Sequence, residues 1–294
     1  MPLHFVSQST GRKKGILFTV NIIILKTEDD QMTGKIGIGV ITCNRKDLFE
    51  KCINSIPNIG PLIVVNDGLP YQNTAYPSKV TKIIQHTFNK GVGASKNEAF
   101  KYLLNEQCEH IFIIEDDIKI IDHSVFQRYI AAAKASGILH FNFGYHGPLN
   151  RDKNGKPEYR KVVKLNTDIS IVFNKFVVGA FSYYHSKVLR EVGFMDRLFI
   201  NAYEHIDHTY RIIKAGYHTP FWWFADILNS DSYIHDLDPG LVRSVIRPNK
   251  LSMRIKVSVL GRYFKLKHGH FADRFPDTIS ENSIQDFMKI GKVE

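Results

Sequence analysis

Residues 111–118 read IFIIEDDI, an apolar run that ends on three consecutive carboxylates, Glu115, Asp116 and Asp117. Such a run predicts a strand buried on both faces, of the kind found in the middle of a mostly parallel sheet. Three acids at the carboxyl end of that strand repel one another unless a cation or several donors sit among them. Hard divalent cations meet this need, because Mg²⁺ and Mn²⁺ take carboxylate and phosphate oxygens together. An acidic loop in water is the plainer reading of EDD alone, so its surroundings decide.

Those surroundings alternate strands and helices. Residues 35–42 (KIGIGVIT) predict a first strand, and Asn44, Arg45, Lys46 and Asp47 open a helix to about Ile56. Residues 61–65 (PLIVV) predict a second buried strand that ends in the turn signal Asn66-Asp67-Gly68. A short third strand follows at 82–86, then a glycine-bearing loop, 89–97, leading into a helix that ends near Leu104. This order predicts an α/β fold, a doubly wound sheet flanked by helices. Ligands of such sheets bind outside the carboxyl ends of the strands, where Thr42 to Arg45, Asn66 to Gly68 and Glu115 to Asp117 all fall.

At 294 residues, with 44% hydrophobic and 23% charged residues, the composition is that of an ordinary globular protein. Cys43, Cys52 and Cys108 have neither metal-type spacing nor an even number for disulfides, which predicts a reducing compartment. The apolar segment 15–25 is shorter than the roughly 20 residues a spanning helix needs. It follows Arg12, Lys13 and Lys14 but lacks a small-residue cleavage site, so an added strand is expected there and the protein is expected to be cytoplasmic. Net charge is +10, which favours an anionic partner: a nucleotide, a membrane surface or a nucleic acid. The excess gathers between Arg243 and His270, a stretch with no Asp or Glu.

Further along, a helix is expected over 124–136 and a strand over 138–143. The segment 145–160, rich in Gly, Pro, Asn and charge, reads as an acceptor-side loop. Residues 169–173 and 176–184 are expected to pair as strands, with Gly179 allowing a ligand or another strand to come close. A short helix, 186–192, follows.

The first hundred or so residues resemble glycosyltransferases of the GT-A fold, most closely family 2. The resemblance rests on Thr42, Asn44 and Arg45 (T-x-N-R), on Val65, Asp67 and Gly68 (V-x-D-G), on Asn89, Gly91 and Asn97, and on the acids after the fourth strand. Family 2 usually shows DxD; EDD is closer to the variant found in N-acetylglucosaminyltransferases. The resemblance implies that Asp67 accepts a hydrogen bond from the nucleotide base, that Thr42, Asn44 and Arg45 line the same pocket, and that Lys96 stands near the nucleotide. It implies Glu115 on the ribose side, Asp116 beside the nucleotide sugar, and Asp117 as ligand of the Mn²⁺ or Mg²⁺ that bridges the diphosphate. Read plainly, Asp67 is a turn residue and Lys96 belongs to a solvated helix face. The implied layout is an N-terminal extension (1–34), a GT-A domain (35–240, with a nucleotide-binding half 35–120 and an acceptor half 121–240) and a basic C-terminal segment (241–294).

Relatives of this family carry a helix opening E-D-x-D-x-x-x-R. Here Glu204, Asp207 and Arg211 match, and His205 stands where the catalytic base would be. An imidazole accepts a proton at neutral pH without special tuning. Glu204, Asp207, His208 and Arg211 share one helix face with His205 to its side, so His205, Glu204 or Asp207 is the candidate base; a capped, salt-bridged helix start explains Asp207 and Arg211 equally well. His235 is a candidate extra metal ligand, and Trp222 or Trp223 a platform for a sugar ring.

Together these features predict a metal-dependent, inverting glycosyltransferase. Its donor would be a nucleotide sugar, a UDP-sugar foremost, and its acceptor a hydroxyl of a glycan or lipid-linked molecule in surface polysaccharide, capsule or lipopolysaccharide synthesis. The basic segment suits the inner face of a membrane. Two alternatives are a transferase acting on modified bases of phage DNA, and a nucleotidyltransferase or non-catalytic nucleotide-binding module.

Overall fold

The computed structural model describes residues 34–72, 76–219, 223–243 and 250–272. The expectations for 1–33, Trp222 and Arg247 lie outside these residues. In β1 (Ile36–Thr42) all seven positions are buried, as a strand with neighbours on both sides and helices on both faces requires. It is followed by α1 (Lys46–Ser55), β2 (Leu62–Asn66), β3 (Lys82–Gln85), α2 (Val92–Asn105) and β4 (His110–Glu115). Gly39 lets α2 approach β1: a Cβ there would lie 2.8 Å from the Ala99 methyl.

The chain continues through β5 (Ile118–Ile120), α3 (Val125–Ser136), β6 (His140–Asn142), β7 (Lys161–Lys164), β8 (Ser170–Asn174) and β9 (Phe181–His185). It then forms α4 (Ser186–Glu191), α5 (Glu204–Lys214), β10 (Phe224–Ile227), β11 (Ile234–Asp236) and α6 (Lys250–His268). The main sheet has the order β3-β2-β1-β4-β9-β6, with β1 to β4 mutually parallel and β9 antiparallel to both β4 and β6. From β1 the chain builds outward through β2 and β3, then returns to place β4 on β1's other side. The strand order therefore reverses between β1 and β4, and a crevice is expected beyond their carboxyl ends, at Thr42 and Glu115.

The sheet is covered on both faces, as the sequence predicted. Alternate residues of β4 divide between two cores: Phe112 and Ile114 join Phe49 of α1 and Phe126 and Tyr129 of α3. Ile111 and Ile113 join Phe100 and Leu103 of α2, Val188 of α4 and Ile212 of α5.

One expectation is corrected. Residues 169–173 and 176–184 do not pair: β8 lies between β10 and β7 in a separate antiparallel sheet, while β9 joins the main sheet. The fourth strand ends at the acids, as expected. The chain turns at Asp116 and Asp117, and β5 starts a two-stranded ribbon with β11.

The basic segment is not wholly solvated. Phe264 of α6 is fully buried with Phe199 and Tyr210 in a third, smaller cluster. No helix among the described residues is long and apolar enough to cross a membrane. Truncating Phe264 to Ala should lower unfolding free energy by about 3 kcal/mol, read from urea denaturation, because it leaves a cavity between Phe199, Tyr203 and Tyr210.

Candidate active site

The three acids are compensated by cations and donors drawn from separate parts of the fold. Glu115 Oε1 accepts from Lys96 Nζ at 2.6 Å, and the same ammonium donates to the Gly179 carbonyl at 2.7 Å. Asp116 is fully buried and accepts from Thr42 Oγ1 at 2.6 Å, from the Cys43 N–H at 3.3 Å, and from Arg45 Nη2. Asp117 Oδ2 accepts from Arg45 Nη1 at 2.7 Å. Burial pushes the Asp116 carboxyl up to about 7, with Arg45 and Thr42 opposing. Burial acts the same way on Asp117, but there His146 and Arg45 outweigh it and hold the group below the usual carboxylate range.

Asp67 supports the loop beside this cluster. Its Oδ1 accepts from His86 Nδ1 at 2.6 Å and the Lys90 N–H at 2.7 Å, and its Oδ2 from the Gly91 N–H at 2.8 Å. Val92 N–H, in the first turn of α2, donates to Asn201 Oδ1 at 3.0 Å, which ties that helix to the loop before α5. Asn44, with φ 55°, accepts the Leu69 N–H at 2.7 Å and so closes the loop after β2 onto the loop after β1.

From the other side, α5 brings Glu204 and His205. Glu204 is buried, its Oε2 has no hydrogen-bond partner, and burial pushes its pKa up to about 7. His205 Nε2 lies 3.4 Å from Glu204 Oε1, and burial, with Lys96 adding, pushes the imidazole well below its ordinary pKa. The sequence expected Gly179 to admit a ligand or a strand; it admits His205. A Cβ on Gly179 would lie 2.2 Å from the ring's Cε1.

A cavity of about 760 Å³ opens among these elements. Of the residues expected there, Thr42, Asn44, Arg45, Asp67, Glu115, Asp117, Glu204 and His205 line it. Four do not reach it. Asp116 and Lys96 are sealed beneath the wall, Lys96 not on a solvated face but buried behind two lining residues, Glu115 and Gly179, whose oxygens accept from its ammonium. Asp207 turns away to Arg211 Nε at 3.0 Å, Lys267 Nζ at 2.8 Å and His268 Nε2 at 2.8 Å, so it anchors α6 to α5 instead of meeting an acceptor. His235 is exposed, because alternation along β11 turns Ile234 and Asp236 inward and the residue between them out. Trp223 packs on the core under Arg160 and is not part of the lining.

His146 was missed. Its Nε2 lies 3.3 Å from Asp117 Oδ2 and 3.8 Å from Asp236 Oδ1 without hydrogen-bond alignment to either. Burial lowers its pKa, but Asp117, Asp236 and Glu115 outweigh that and leave it raised. No motif marks it, since it sits in an irregular loop and reaches Asp117 only through the tertiary fold. Asp117 Oδ1 is likewise buried and unpartnered. An open carboxylate oxygen beside an imidazole nitrogen is a donor set that fits Mn²⁺ or Mg²⁺.

Glu109, His110 and His185, at the opposite end of β4, are also spaced for a metal. There His185 Nδ1 accepts the Lys187 N–H at 3.2 Å, which leaves Nε2 protonated and donating to Glu109 Oε1 at 3.2 Å.

No family model matches the chain, and no curated protein matches it. Solved structures do. The mannosyltransferase PcManGT from Pyrobaculum calidifontis, in complex with GDP-Man and Mn²⁺, shares 10% identity over 88% of this chain and 69% of that one, with TM-score 0.49. GalNAc-T7 with UDP, GalNAc and Mn²⁺ shares 9% over 64% of this chain and 42% of that one, also at 0.49. At these values no residue role transfers.

Lys96→Met should destabilise the fold by roughly 2–3 kcal/mol in denaturant titration, because it leaves the half-buried Glu115 carboxylate and the Gly179 carbonyl without their shared donor. Gly179→Ala should shift the His205 Cε1–H resonance in proton NMR, since the ring must move away from a new methyl group.

Proposed function

We propose that this chain is a metal-dependent glycosyltransferase of the GT-A type. It takes a nucleotide-sugar donor, a UDP-sugar foremost, and passes the sugar to a hydroxyl in glycan or lipid-linked glycan synthesis. The observation that carries this is Asp117: a buried carboxylate with one oxygen unpartnered, beside His146, at the strand-order switch and on the wall of a cavity that fits a nucleotide sugar. The four sequence motifs that resemble family 2 contribute residues to this wall or its support.

Asp117 and His146 would hold the cation, which supplies charge against the leaving diphosphate. Arg45, on the same wall, adds a fixed positive charge beside the phosphates. The loop of 86–91, held by Asp67, and Asn44 shape the nucleotide end. Glu204 is the base. Its raised pKa places it near working pH, and its unpartnered Oε2 is a ready acceptor for the hydroxyl proton. The acceptor oxygen bonds to the anomeric carbon as the bond to the diphosphate breaks, and the proton passes to Glu204; one displacement inverts the centre. His205, neutral at the cavity wall, positions the acceptor.

Purified protein incubated with Mn²⁺ and UDP-, GDP- and CMP-sugars should release nucleotide from one donor and stop on chelation. Asp117→Ala and His146→Ala should each lose at least about 100-fold, while His235→Ala keeps full rate. Turnover of no donor would remove the transferase reading. With a glycan acceptor, kcat/KM should be flat above pH 7 and fall about tenfold per unit below it, as Glu204 takes up its proton. A limb that persists near pH 7 in Glu204→Gln would remove Glu204 as the base.

A further inference from the structure

Helix α6 has two faces with different destinations. Phe264 and Gly261 pack inward, and Met253 lines the cavity. Outward, Ile255, Val259 and Leu266 are 58%, 58% and 83% exposed. With Arg262 they fall at spacings of four, three and four, one stripe on the helix surface. Exposed Arg254 and Lys265 edge that stripe, and no acid occurs anywhere from 243 to 270.

An exposed aliphatic stripe edged by cations, on a helix without acids, fits a lipid surface of negative charge. The side chains enter the boundary between headgroups and acyl chains, and the cations meet the phosphates. Arg262 lies within the stripe, and its long stem lets the charge reach back to the headgroups. Duplex DNA would engage the cations alone and leave the aliphatic side chains in water. We propose that α6 docks the protein on an anionic bilayer. Because Met253 of the same helix lines the cavity, the acceptor is a hydroxyl carried on a membrane-held lipid; this last clause rests on the transferase reading.

The test is cosedimentation of the full chain with vesicles of phosphatidylcholine alone, or of phosphatidylcholine with phosphatidylglycerol. Duplex DNA serves as competitor, and nucleotide release is measured in parallel without vesicles. Binding is expected only to the anionic vesicles. It should weaken at least about tenfold both in an Ile255→Ser/Val259→Ser/Leu266→Ser variant and in an Arg254→Gln/Arg262→Gln/Lys265→Gln variant. Nucleotide release in solution should stay within about twofold of wild type in both, since none of these residues lines the cavity. Vesicle binding unaffected by the serine variant, or displaced completely by DNA, would overturn the proposal in favour of a polyanion site. Vesicle binding without release from any donor would sink the transferase reading but leave the docking surface standing. Release without vesicle binding would do the reverse.

Discussion

Three carboxylates in a row at the end of a buried strand are tolerable only because cations and donors from different parts of the chain face them, with Arg45 shared between Asp116 and Asp117. Lys96 comes from α2, Arg45 from the loop after β1, and His146 from the loop after β6. Removing charges from water costs several kcal/mol each, and only well-aligned hydrogen bonds and opposite charges recover it. The sheet edge is therefore organised by charge before any ligand arrives. Lys96 illustrates this, since its ammonium joins Glu115 of β4 to the Gly179 carbonyl ahead of β9 and so fixes the gap through which His205 enters.

The two halves of the site are held by polar side chains at loop and helix ends, of which Asp67 and Asn201 also line the cavity and Asp207 does not. Asp67 gathers three donors from 86–91, Asn201 engages α2's first turn, and Asp207 collects Arg211, Lys267 and His268. Each holds a loop or helix end in place. Glu204 and His205, about two turns earlier on α5 than Arg211, are thereby kept at the wall even though they start the helix.

Much of the fold was legible because its signals are local. The apolar runs of β1, β2 and β4 and the turn at Asp67 and Gly68 declare themselves within a few residues. The three places that were misread depend on tertiary partners. Lys96 reads as a surface residue on a helix until Glu115 lies beneath it. Residues 169–173 and 176–184 read as paired strands until β4 captures the second. The histidine near the metal motif was sought in 230–236, yet β11's alternation turns Asp236 inward and His235 out. The imidazole beside Asp117 comes instead from a loop without any periodic signal.

The same geometry bears on how a cation could enter. Arg45 already occupies Asp117 Oδ2 and bridges to Asp116, so Oδ1 is the open oxygen of the pair. A divalent ion bound through Oδ1 and His146 adds positive charge close to a guanidinium, which is unfavourable until an anion lies between them. A diphosphate is such an anion. Metal and nucleotide would therefore bind cooperatively, each lowering the electrostatic cost of the other, and the buried Asp116, held by Thr42 and Cys43, fixes Arg45 at the cavity wall.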